Sequence, residues 1–158
     1  AGAQPQSILF ALASSGSTTR LKQTARELVR RKHLTADSLG LLAAQLVATT
    51  AAADCQSLAA VGASPDTRWW KTAVKQNHGK KLQRATACGY APPHASVTTA
   101  IRRKGWTMAR QLLPHAQLSP LQLRRLQLSA SLRGAPPPMK KALKKALKKA
   151  LRQAKRSR

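Results

Sequence analysis

Groups that could move a proton near neutral pH or ligate a metal are scarce in this chain. They are four acids (Glu27, Asp37, Asp54, Asp66), four histidines (His33, His78, His94, His115) and two cysteines (Cys55, Cys88). Paired-carboxylate hydrolysis needs two acids facing one bond, and these four are scattered singly along the chain. Phosphoryl transfer needs acids for Mg²⁺ and a glycine-rich phosphate loop; the sequence has no such loop. A structural zinc site takes four ligands at tight local spacing, whereas Cys55 and Cys88 stand far apart and form no CxxC. No nucleophile has a base beside it. The residues therefore predict no enzyme, no metal, no cofactor and no small-molecule substrate. A disulfide between Cys55 and Cys88 is open to the chain. Two cysteines do not make a disulfide scaffold, and the preferred reading is two small, buried or half-buried thiols.

The residue types that are abundant do electrostatic chemistry. Of 158 residues, 29 are Lys or Arg and 4 are Asp or Glu, a formal net charge of +25. The stretch 1–66 holds six cations (Arg20, Lys22, Arg26, Arg30, Arg31, Lys32) and all four acids, a net of +2; the stretch 67–158 holds the other 23 cations and no acid. An ordinary solvated surface mixes signs. A long stretch without a carboxylate reads as a face turned to a polyanion, of which nucleic acid is the commonest. The cations predicted to meet it are Arg68, Lys71, Lys75, Lys80, Lys81, Arg84, Arg102, Arg103, Lys104, Arg124, Arg125, Lys140, Lys141, Lys144, Lys145, Lys148, Lys149, Arg152, Lys155, Arg156 and Arg158. Two groups, His78-Gly79-Lys80-Lys81 and Arg102-Arg103-Lys104, suit either phosphate clamps or plain exposed turns.

The elements that must position these cations read as helices. Hydrophobic residues make up 42% of the chain but aromatics only 3%, so the apolar content is mostly Ala and Leu, strong helix formers that bury little area each. A thin all-α core follows. Gln6 to Ala13 is a short helix candidate. Thr18 or Thr19 caps a helix to about Lys32, with Leu21, Ala25, Leu28 and Val29 on one face and Glu27 placed to pair with Arg30 or Arg31. Thr35 opens a second helix to about Ala53, completing a hairpin. Asp54 to Ala63 is a further short helix or a loop. Ser64-Pro65-Asp66 reads as a helix start, with Ser at the N-cap and Pro at N1. That helix carries Trp69, Trp70, Ala73 and Val74. Helices then follow over Lys80–Ala87, His94–Lys104, Trp106–Leu113 and Pro120–Leu132, the last with Leu121, Leu128 and Leu132 along one side and Gly134 as its stop. Trp69, Trp70, Tyr90 and Trp106 are expected mainly in the core, Trp70 and Trp106 foremost; their basic neighbours leave base stacking as the alternative.

Pro65, Pro93 and Pro120 open helices at nearly equal intervals, and Gly79, Gly105 and Gly134 are expected to close them. Units of this length suggest a short α-solenoid-like array, with irregular helices as the alternative. Four regions result: an N-terminal helical hairpin region (1–63), a basic repeat-like region (64–134), a Pro-rich linker (135–138) and a C-terminal tail (139–158).

The tail repeats Lys-Lys-Ala-Leu three times at period four, and half of its residues are basic. At about 100° per residue, Leu143, Leu147 and Leu151, with Met139 and Ala142, Ala146, Ala150 and Ala154, cover one apolar side; the lysines cover the other. This cationic amphipathic helix should be largely unfolded alone, because its Lys–Lys pairs repel, and helical on a polyanion. Nucleic acid, an anionic membrane surface or an acidic helical partner would each suit it. Membrane helices usually bring bulky aromatics, and this face has none. Leu39–Ala53 is too short and weak to span a bilayer. Cations spread over many short elements favour folded RNA over DNA.

Gly89-Tyr-Ala-Pro-Pro93, followed by Val97, Ile101, Gly105-Trp106, Ala109, Leu112 and Leu113, resembles a degenerate pentatricopeptide-type repeat. The likeness covers 89–113, and more faintly 65–134, with a short first helix and no base-selecting pair. It implies a helical, RNA-associated organellar protein, and such repeats occur in the divergent mitochondrial ribosomes of kinetoplastids and euglenids. The expectation is thus an all-α structural protein of a mitochondrial ribosome in the matrix, with ribosomal RNA and neighbouring ribosomal proteins as partners and no membrane. A first residue other than Met is compatible with a removed leader. The alternatives are a free helical-repeat RNA-processing or stability factor, and a histone-like DNA-binding protein.

Overall fold

In the computed structural model, residues 8–9, 11–12, 18–31, 35–49, 56, 59 and 64–156 are described. These residues are helical and connecting, with no strand among them. Eight helices run through them in chain order: α1 Thr18–Arg30, α2 Ala36–Thr49, α3 Thr67–Lys75, α4 Gly79–Ala87, α5 His94–Arg102, α6 Trp106–Leu112, α7 Pro120–Leu132 and α8 Pro137–Arg156. The all-α class expected from the Ala/Leu composition is the class observed. Of the candidate helix Gln6–Ala13, Ile8, Leu9, Ala11 and Leu12 are described and helical. The helical-or-loop reading of Asp54–Ala63 lies mostly outside the described residues.

The chain divides into two units, Ala1–Trp69 with Lys80–Tyr90, and Trp70–Gly79 with Ala91–Arg158. In the first unit, Thr35 caps α2 by accepting from the Ser38 N–H at 3.2 Å. Leu39, Leu42, Ala43 and Val47 of α2, Leu82 and Ala85 of α4, and Tyr90 are buried. Burial pushes the Tyr90 phenol well above its ordinary range, so it stays neutral. Glu27 of α1 pairs with Arg30 at 3.2 Å and Arg31 at 2.6 Å, as its spacing predicts. The hydrogen bond from Arg31 and the charges of both arginines hold its carboxyl below the usual range. Cys88 is buried and disulfide-bonded, which corrects the expectation of a buried thiol. The other cysteine, Cys55, lies outside the described residues. So wide a spacing carries no signal of proximity, so sequence could not decide between thiol and bridge.

In the second unit, α7 packs on α5 and α8, and α6 packs on α5 and α8. The interior is built from Val97, Ala100 and Ile101 of α5, Ala109 and Leu112 of α6, Leu123, Leu126 and Ala130 of α7, and Met139 and Leu143 of α8. The α7 start is as predicted: Ser119 and Gln122 form a reciprocal capping box, with Pro120 at N1. The stripe Leu121, Leu128 and Leu132 is exposed instead; the buried set is offset from it. Pro137 and Pro138 are the first residues of α8, and Ala135 is buried. The proline run thus starts a helix rather than spacing one off, because proline's fixed φ suits the first turn.

Two other helix boundaries differ from the sequence reading. Asp66, not Ser64, caps α3: its Oδ1 accepts from the Trp69 N–H at 2.6 Å. A charged carboxylate satisfies free N–H groups and also meets the positive end of the helix dipole. The expected closers Gly79 and Gly105 instead stand at the starts of α4 and α6. The left-handed stops are Asn77 (φ 59°) and Lys104 (φ 57°), together with Gly89 and Gly134. Each has the paired backbone bonds of a Schellman turn, such as Gly105 N–H to Ala100 O at 2.9 Å with Lys104 N–H to Ile101 O at 3.0 Å. Of the aromatics, Trp70 and Tyr90 are fully buried, whereas Trp69 and Trp106 are half-buried.

Candidate nucleic-acid interface

Each unit carries exposed cations, placed helix by helix from the buried face outward. In α3 the buried residues are Trp70, Ala73 and Val74, which leaves Arg68, Lys71 and Lys75 at i, i+3 and i+7 in a row along the exposed side. In α4 the buried residues are Leu82, Ala85 and Thr86, and Lys80, Lys81 and Arg84 are exposed. Arg102, Arg103 and Lys104 occupy the end of α5 and the turn after it, all exposed. Arg124 and Arg125 flank the buried Leu123 and Leu126 of α7. In α8, Met139 and Leu143 point inward, and Lys140, Lys141, Lys144, Lys145, Lys148, Lys149, Arg152, Lys155 and Arg156 are exposed. Arg158 lies outside the described residues. Every other predicted cation is exposed, as phosphate contact requires.

Two exposed arginines were missed by the sequence reading, Arg110 and Arg133. Arg133 caps α7, and its Nη1 donates to the Arg102 carbonyl at 3.3 Å. That bond joins the end of α7 to the Arg102-Arg103-Lys104 cluster and makes a patch of four cations. The two parts are distant in sequence, and the one clue to Arg133 is its place just before a Gly stop. Cations at helix C-termini also complement the dipole, by roughly 0.3–1 kcal/mol each. Helix stability therefore explains part of the pattern. It does not explain Lys104, where a side chain other than glycine in the left-handed region costs roughly 1 kcal/mol.

Nothing in residues 67–158 can neutralise these charges from within, since that stretch has no acidic side chain. Among the described residues, the ion pairs are those of Glu27. The four acids of residues 1–66 are too few to balance them, so most of this charge is left to surrounding ions or a partner. Alongside α7 and α8 runs a groove of about 620 Å³, lined by Arg124, Gln127, Leu128, Ser131, Lys140, Leu143, Lys144 and Leu147. Among the described residues there is no grouping of three or more His, Cys, Asp or Glu, and no helix long and apolar enough to cross a membrane.

No family model, no curated protein and no solved structure matches this chain.

Proposed function

We propose that this chain is a structural RNA-binding component of a large ribonucleoprotein particle, with the mitochondrial ribosome as its setting and ribosomal RNA as the partner. The observation that carries the reading is the acid-free stretch 67–158, in which every described candidate cation is exposed. Its mechanism is charge neutralisation and scaffolding: Lys and Arg replace condensed counterions on phosphates, and short helices set the spacing of those cations along each exposed face. The pentatricopeptide-like residues from Gly89 to Leu113 support the organellar, RNA-associated setting. Cations spread over α3 to α8 suit an irregular folded RNA better than one groove of a regular duplex.

The test is sedimentation of an extract from the native source, with and without ribonuclease, at low and moderate salt. Co-migration with a ribosomal subunit that survives moderate salt and collapses with ribonuclease is the expected result. A slowly sedimenting chain that joins RNA only at low salt would overturn the structural role in favour of a free RNA-binding factor. Disulfides persist in oxidising compartments and are rare where thiols are kept reduced. Fractionation of mitochondria into matrix and intermembrane space therefore checks the location directly.

A further inference from the structure

Helix α7 carries two apolar stripes, and its own unit uses one of them. Leu123, Leu126 and Ala130 are buried. Leu121, Leu128 and Leu132 recur at i, i+7 and i+11 and stand 60%, 67% and 88% exposed. Leaving leucine in water forgoes the stabilisation of burying it, and apolar surface rimmed by charge commonly marks an interaction site. Leu128 is the exposed leucine that also lines the α7–α8 groove, where it joins Leu143 and Leu147; Arg124, Lys140 and Lys144 stand among the same lining residues.

We propose that this groove is a docking site for an acidic amphipathic helix of a neighbouring protein, with a leucine-type stripe on Leu128 and Leu147 and Asp or Glu against Arg124, Lys140 and Lys144. Charge complementarity decides the occupant. No acidic side chain of residues 67–158 is available to the groove's cations, so a partner that brings its own is favoured. A second copy of this chain presenting the same groove would set cation against cation. RNA satisfies the cations but not the leucines: phosphates gain nothing from an apolar floor, and bases stack on aromatic or guanidinium planes rather than on leucine. A helix laid in a groove with apolar anchors at i, i+3, i+4 and i+7 satisfies both. The proposal concerns a protein contact: it takes Arg124, Lys140 and Lys144 out of the set counted for RNA and leaves the other exposed cations to phosphate.

The test uses the full chain and a fluorescent synthetic helix of about four turns, with leucines on one face and glutamates flanking them. A sister peptide keeps the glutamates and replaces every leucine with serine. Anisotropy at moderate salt should give saturable binding of the leucine peptide and none of the serine peptide. Leu128→Gln, at a position exposed enough to leave the fold intact, should weaken binding about tenfold. Leu121→Gln, outside the groove, should leave it unchanged. A uridine oligonucleotide should bind Leu128→Gln as tightly as the wild type. Equal binding of the two peptides, or an unaffected Leu128→Gln, would reduce the interaction to bare charge and overturn the proposal. A matching loss of oligonucleotide binding would reassign the groove to RNA. Failure of the leucine peptide, with phosphatidylglycerol vesicles bound through Leu128 instead, would reassign it to a membrane.

Discussion

The three copies of Lys-Lys-Ala-Leu in α8 are identical in sequence and unlike in structure. In the first, Leu143 is completely buried against its unit. In the second, Leu147 is half-buried along the groove. In the third, Leu151 is 38% exposed, and beyond it every described residue through Arg156 is exposed. The lysines are exposed throughout. A repeat thus dictates the helix and its two faces, while the neighbouring helices decide how much of the apolar face is covered. The first half of α8 is part of the body, and the second half is a cationic arm with little packing to hold it.

The largest effect should separate the first copy from the third. Leu143→Ala should cost about 2–4 kcal/mol in urea unfolding, as a cavity-forming core truncation does. Leu151→Ala should cost within roughly 0.5 kcal/mol. Equal losses would erase the gradient. Amide exchange should follow it too. Amides from Ala150 to Arg156 should exchange on the order of tenfold or more faster than those around Leu143. RNA should slow that exchange, since neutralising the Lys–Lys repulsion favours the helix. A smaller effect is expected at Lys104. Lys104→Gly should raise stability by roughly 1 kcal/mol by relieving the left-handed backbone while weakening RNA binding. A gain in stability with affinity unchanged would show that its charge is idle. The smallest effect belongs to paired neutralisation. Lys148→Gln with Lys149→Gln should lower the salt slope of RNA binding by about 1.4–1.8, at roughly 0.7–0.9 for each phosphate no longer neutralised, while the urea midpoint stays where it was.

Much of this fold was legible in the sequence because its signals are local. The Ser119-Pro120 start, the Glu27–Arg31 pair and the amphipathic period of α8 each depend on residues within one or two turns. What was misread depends on groups distant in sequence. Leu121, Leu128 and Leu132 look like a core stripe, yet Leu123, Leu126 and Ala130 are the residues buried in the unit. The Gly79 and Gly105 stops were misplaced because Asn77 and Lys104 take the left-handed turn without glycine. Most of the cationic surface was visible as composition, since a stretch without acids has no means of internal neutralisation. The bond from Arg133 to Arg102, and the groove beside α7 and α8, arise only once separate helices meet.

The central claim is that the exposed cations of residues 67–158 outside the α7–α8 groove bind RNA phosphates. The most direct measurement is the affinity of the full chain for a folded RNA hairpin across a series of salt concentrations. Neutralising about six or more phosphates predicts that log affinity falls with log salt at a slope of about 4 or steeper. A slope below about 1, or binding indifferent to salt, would contradict the account.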